Sequence, residues 1–94
     1  MYSLTIASAA ERLFRKLPRE AKARLIEEAK VLQTEPMKGE PLKGKYRSFR
    51  SLHLAFKGTQ YRIIYQVFTD AQMVTIRLAA PRENIYKKLE EMGR

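Results

Sequence analysis

Four residues far apart in this chain have the types that phosphate chemistry uses. They are Arg62 within Tyr61-Arg62-Ile63-Ile64-Tyr65, Arg82 and Tyr86 within Pro81-Arg82-Glu83-Asn84-Ile85-Tyr86, and His53, the one histidine. A guanidinium matches two phosphate oxygens and stays charged at any physiological pH. An imidazole ordinarily titrates near ~6.5, close to neutrality. A phenol ordinarily titrates near ~10, which suits base stacking or proton donation better than proton removal. Gathered in one place, these groups would form a phosphate-handling groove, with preset donors to carry charge that builds on a reacting phosphate. Each residue also has a plainer reading: His53 as an exposed strand residue, Arg62 paired with Glu83, Arg82 solvated, and Tyr86 packed on Leu89.

Convergence requires a sheet, and the hydropathy pattern supplies one. Tyr2, Leu4 and Ile6 alternate with Ser3 and Thr5, a short half-buried strand. Ser8 and Glu11 have capping-box spacing, so a helix is expected from about Ala9, with Leu13 and Leu17 on one face. Pro18 stops it and can open a second helix, roughly 18–34, whose stripe is Ala21, Leu25, Ala29 and Leu32. Glu35-Pro36 ends this helical hairpin, and 36–45, with two prolines and two glycines, reads as a loop. From Phe49 the period is two. Leu52, Leu54 and Phe56 share a face, then Ile63, Tyr65 and Val67, then Val74, Ile76 and Leu78, with turns at 57–59 and 69–71. The opposite face collects His53, Arg62, Gln66, Thr75 and Arg77. The apolar face is expected to pack on the helices and the other to stay open and cationic. A last helix over 83–92 carries Ile85, Leu89 and Met92 inward.

The 94 residues are expected to form a single domain, 1–94, with one modest core. No cysteine is present, which removes disulfides, thiolate nucleophiles and cysteine-bound zinc; one histidine and scattered carboxylates make no metal site. Residues 1–10 lack a signal-peptide pattern and no apolar run reaches membrane length, so a cytoplasmic protein without membrane contact is expected. The net charge is +9, and it is concentrated: residues 35–62 hold seven Lys/Arg against two Asp/Glu. Such charge attracts nucleic acid or an acidic protein without choosing between them. Lys43, Lys45, Arg47, Arg50 and Arg77 are expected to contact RNA backbone. Arg50 shares the phase of Leu52, so keeping it wet would take a bulge.

The order of these pieces resembles the RelE/ParE superfamily of type II toxin–antitoxin toxins. The resemblance spans nearly the whole chain: the opening strand, the hairpin with Lys16-Leu17-Pro18, Glu35-Pro36, Pro41-Leu42-Lys43-Gly44, Tyr61-Arg62-Ile63-Ile64-Tyr65, and then Arg82 and Tyr86. It implies an α+β fold with two N-terminal antiparallel helices on one face of a four-stranded antiparallel sheet and a short C-terminal helix. It also implies one of three functions. RelE-like members cleave mRNA in the ribosomal A site, ParE-like members poison DNA gyrase without being enzymes, and an inactive member would serve only as a co-repressor. In the RelE branch, Arg62 matches the strand-opening arginine, and Arg82 and Tyr86 match the C-terminal pair. The places held by two lysines in some members are Ser51 and His53 here, which leaves the general base open. The implied partners are a cognate antitoxin, ribosome and mRNA, with a higher-order complex on operator DNA; no cofactor is implied.

Overall fold

The computed structural model describes residues 1–92. The chain runs β1 (Ser3–Ile6), α1 (Ser8–Lys16), α2 (Arg19–Val31), β2 (Glu40–Pro41), a 3₁₀ turn (Gly44–Tyr46), β3 (Arg50–Phe56), β4 (Thr59–Phe68), β5 (Met73–Pro81) and α3 (Arg82–Met92). The α+β architecture expected from the sequence is present, with two helices before the central strands and one after them. The sheet has five strands, not four, in the order β1-β5-β4-β3-β2, and it is mixed because β1 runs parallel to β5. The additional strand is the two-residue β2, inside a segment whose prolines and glycines read as loop. The first helix begins without the anticipated capping box. Ser8 lies inside α1, Ala7 is the cap residue, and no side chain caps it.

The register of the central strands is set by a turn. Lys57 and Gly58 have φ of 47° and 81°, the left-handed values that a two-residue type I′ hairpin needs. Its geometry pairs Phe56 with Thr59 and hence His53 with Arg62. Directly opposed residues share a face, so the turn alone puts the imidazole and the guanidinium side by side.

One face of the sheet packs on the helices as expected. Leu52, Leu54, Ile63, Tyr65, Val74 and Ile76 meet Ala10, Phe14, Ala21, Leu25, Ala29 and Leu32. The other face is not left open. A second core joins Ile64, Leu78 and Ala80 to Ile85 and Leu89 of α3, with Leu13, Leu42 and Phe49 against it. The cause is a bulge: Ile64 pairs with Leu78 but Tyr65 pairs with Ile76, so Arg77 is an extra residue in β5. Beyond it the alternation inverts, and Leu78 faces opposite to Val74 and Ile76, contrary to the unbroken period-two pattern. Arg50 gets no bulge. It remains in phase with Leu52, opposite Tyr65, on the helix side.

Helix α2 is tied to the following loop through Glu28, which accepts from Arg24 at 2.9 Å and Lys38 at 3.4 Å. The Arg24 hydrogen bond, aided by Lys38 and opposed by partial burial, holds the Glu28 carboxyl below its ordinary 4.5. A lowered carboxyl stabilises the fold above its unfolded pKa, and that contribution is lost as pH falls through the folded value. Glu28→Gln is therefore expected to cost about 0.5–1 kcal/mol at neutral pH, discounted for the exposure of Arg24 and Lys38. Thermal melts should show a Tm several degrees lower at neutral pH, with the gap closing under acid conditions.

Candidate active site

Two elements bring the chemistry-bearing residues to one end of the second face. On β3 and β4, His53 and Arg62 stand opposite each other, and on the far side Arg62 pairs with Ala80. The small alanine leaves height above the sheet for α3. That helix starts at Arg82, immediately after β5, and drives Ile85 and Leu89 into the second core. Tyr86, next to Ile85, is thereby turned toward β4 and remains 54% exposed. Its hydroxyl accepts from Arg62 Nη1 at 2.5 Å, and Arg62 Cζ lies 5.5 Å from its ring centroid. Among the described residues no carboxylate is within ion-pair distance of Arg62, so the anticipated pairing with Glu83 is absent. A guanidinium has five N–H donors, and a single phenol leaves most of them for an anion.

The opposite wall comes from the segment that the sequence pattern left as loop. Glu40, Pro41, Leu42 and Lys43, with Tyr46 from the 3₁₀ turn, face Arg62, Tyr86 and Leu89 across a cleft of about 390 Å³, with Ser51 and His53 between. Glu40 pairs with Ser51 across β2 and β3, and it lines the same cleft as His53. One cleft thus holds two cations, one carboxylate, one imidazole and the phenols of Tyr46 and Tyr86. Tyr46 Oη and Ser51 Oγ are buried there without a protein hydrogen-bond partner. Such groups cost stability unless water or ligand satisfies them.

The structure therefore gathers Arg62, Tyr86, His53 and Lys43. Arg82 does not line the cleft. It is exposed one helical turn before Tyr86, on the same flank of α3. Lys45 and Arg47 are exposed beside the cleft, with Lys45 Nζ 5.2 Å from the Tyr46 ring centroid. Arg77 and Arg50 are used internally. Arg77 Nη1 donates to Gln66 at 2.8 Å, its guanidinium lies 6.0 Å from the Phe49 ring centroid, and its Nε is buried unpaired. Arg50 donates to the carbonyls of Gly39 at 3.0 Å and Met37 at 3.1 Å. The sequence pattern missed Glu40 and Tyr46, because nothing local marks a two-residue strand. Period-two phasing did place Ser51 with His53. No three His, Cys, Asp or Glu among the described residues converge as a metal-ligand set.

No curated protein matches the sequence significantly. A family model described as the ParE-like toxin of type II bacterial toxin–antitoxin systems matches residues 4–90. The chain belongs to that family. Among solved structures, the toxin–antitoxin complex RelBE2 of Mycobacterium tuberculosis matches at TM-score 0.74 and 30% identity, over 86% of this chain and 98% of that one. The isolated RelE toxin of E. coli matches at TM-score 0.72 and 20% identity over the full length of both chains. The archaeal RelE–RelB complex of Pyrococcus horikoshii gives TM-score 0.57 and 22% identity, over 86% of this chain and 94% of that one. These last two matches carry the RelE-like fold alone. The toxin has no helix among its described residues long and apolar enough to cross a membrane.

The toxin's two arginines on this face have different surroundings, Arg62 beside the Tyr86 hydroxyl in the cleft and Arg77 against Gln66 and Phe49. Arg62→Ala should weaken binding of a short single-stranded RNA and reduce the slope of log affinity against log salt by about 0.7, the value for one lost phosphate contact. Arg77→Met should leave the slope unchanged, since its guanidinium faces Gln66 and Phe49. Anisotropy titrations over a salt series separate the two, and equal slopes would remove Arg62 from the anion site.

Proposed function

We propose that this toxin is a ribosome-dependent mRNA endoribonuclease, acting without metal through the ribose 2′-hydroxyl and neutralised by a cognate antitoxin. The observation that carries this reading is the Arg62–Tyr86 pair facing His53 and Glu40 across one cleft. A phosphodiester seated there would meet the open donors of Arg62, with Lys43 beside it and Arg82 exposed one turn before Tyr86. Negative charge gathering on the phosphorane is what such preset donors stabilise. Either His53 or Glu40 takes the 2′-proton; both line the cleft with Arg62. The 2′-oxygen bonds to phosphorus as the bond to the 5′-oxygen breaks, leaving a 2′,3′-cyclic phosphate and a 5′-hydroxyl. Tyr86 is placed to protonate that leaving oxygen. Its own oxygen already accepts from Arg62, so its hydrogen is free to be given, and the guanidinium supports the charge left behind.

The cleft is shallow and much of it is solvated, so holding the RNA in an attack-ready geometry falls to the ribosome. Orientation of this kind supplies up to about 7–11 kcal/mol in well-aligned systems. Exposed Lys45 and Arg47 beside the cleft then serve as backbone contacts. The antitoxin partner is supported by the Mycobacterium tuberculosis relative, which was crystallised as a toxin–antitoxin complex. The family description, ParE-like, favours a second reading in which the target is DNA gyrase and the protein is an inhibitor without catalysis. A role confined to co-repression with the antitoxin on operator DNA is the third.

Primer extension on mRNA translated in a purified system decides among them. Cleavage within ribosome-bound codons is expected, falling at least ~100-fold in Arg62→Ala, as for loss of a charge-stabilising donor. Arg82→Ala should fall less, because Arg82 does not line the cleft. Intact mRNA together with trapped gyrase–DNA complexes would establish the inhibitor reading. The proton acceptor is read from pH–rate profiles. His53→Gln removes the acid limb if imidazole is the base, and Glu40→Gln removes it if carboxylate is. A profile unchanged in both variants assigns the base to the ribosome.

A further inference from the structure

We propose that Arg50 and Tyr65 are positioning residues, which grip the backbone at Gly39 from the helix side so that Glu40 is presented to the cleft on the other side. The consequence for rate rests on the ribonuclease reading; the grip itself rests on geometry. Tyr65 is fully buried. Its hydroxyl donates to the Pro36 carbonyl at 2.8 Å and accepts from the Gly39 amide at 2.8 Å. Arg50, directly opposite Tyr65 in the β3–β4 register, donates through Nε to the Gly39 carbonyl and through Nη2 to the Met37 carbonyl. Both backbone polar groups of Gly39 are thus held by side chains. A Cβ at position 39 would stand 2.7 Å from Tyr65 Oη and 2.8 Å from the Ser51 carbonyl oxygen, so only glycine lets the chain pass this close.

The strand that follows cannot hold itself. β2 has two residues, it lies at the sheet edge, and its second residue, Pro41, has no N–H to donate. Just beyond it the Leu42 amide donates to the Phe49 carbonyl at 2.9 Å, while the neighbouring Lys38–Glu28 pair is a partly exposed surface contact. Yet this strand carries Glu40, the one carboxylate lining the cleft, and leads to Lys43. A half-buried guanidinium spent on two neutral carbonyls, with no carboxylate partner among the described residues, is an expensive way to fasten a loop. It is explained if the loop's position matters to the chemistry, where displacement of about 1 Å costs on the order of 100-fold in rate.

The test uses Arg50→Gln and Tyr65→Phe, both close in shape to the residues they replace, in the ribosome-dependent cleavage assay. Both are expected to lower kcat about 10- to 100-fold, with KM and the salt dependence of ribosome or RNA binding unchanged. Added to Glu40→Gln, either should cost less than about 3-fold further, because residues acting through one another are not additive. A raised KM with a flatter salt slope and normal kcat would make Arg50 an RNA contact and overturn the proposal, as would normal kinetics in both variants. If the wild-type toxin cleaves nothing, the ribonuclease reading falls, and amide exchange decides the clamp by itself. Both variants should then speed exchange of the Leu42 amide at least ~10-fold while leaving Ile63 and Val74 protected. Unchanged exchange at Leu42 would overturn it.

Discussion

The functional face of this toxin is organised by one inserted residue, Arg77. Without the bulge, Leu78 and Ala80 would continue the phase of Val74 and Ile76 and point toward α1 and α2. With it they point the other way, and together with Ile64 they form the apolar floor on which Ile85 and Leu89 sit. Burying side chains of this size contributes roughly 1.5–3 kcal/mol each, enough to hold a helix of about three turns against the sheet. Since α3 follows β5 without a loop, its seat and its direction are fixed together. Tyr86 reaches Arg62 as a consequence. Arg77 itself is retained by Gln66 and Phe49, so the bulge is filled by a side chain with internal partners.

The ion pairs lie away from the cleft. Glu11, Glu20 and Glu28 pair with Arg15, Lys57 and Arg24 on the helix side and its margins. Arg62, by contrast, has a phenol for its close neighbour, and Lys43 at the cleft has no ion pair among the described residues. Open cations are not confined to the cleft, since Arg12, Lys16, Arg19, Lys22 and Lys30 of α1 and α2 also lack an ion pair among the described residues. What distinguishes Arg62 is the phenol and imidazole beside it. Arg50 shows why a cation count alone misleads. It belongs to the basic middle third by sequence, but its donors are satisfied by backbone carbonyls and it lies on the wrong face for the cleft.

The legibility of these features in the sequence divides along physical lines. Alternation is regular in β3 and interrupted in β4 only by Ile64, and the Lys57-Gly58 turn is marked by glycine, so the residue pattern alone implies that His53 and Arg62 share a face. The inversion in β5 has no such mark. Val74, Ile76 and Leu78 look like one uninterrupted stripe, and a bulge is decided by which partner residues are opposite, a tertiary fact. Glu40 and Tyr46 escaped for a related reason: a two-residue edge strand has no period, and its prolines and glycines carry the same signature as a free loop. The phase of Arg50 was legible while its purpose was not, because the carbonyls it grips belong to a loop whose path the sequence leaves unspecified.

A shared fold does not select a target, and the toxin illustrates the distinction within one small domain. Its matched family is described as ParE-like, while its fold coincides with RelE toxins. What separates a nuclease from an inhibitor is whether acid, base and anion-binding groups lie within one substrate's reach. An inhibitor that works by occupancy needs only a complementary surface, so a phenol held against a guanidinium opposite an imidazole and a carboxylate is support for the proposed nuclease. The cost of assembling that set is visible in the protein: two hydroxyls buried without partners at the cleft wall, and a proline-bearing edge strand pinned from behind. Arrangements that cost stability and converge on one cleft support the proposed reaction, and here they converge on the face that the Arg77 bulge creates.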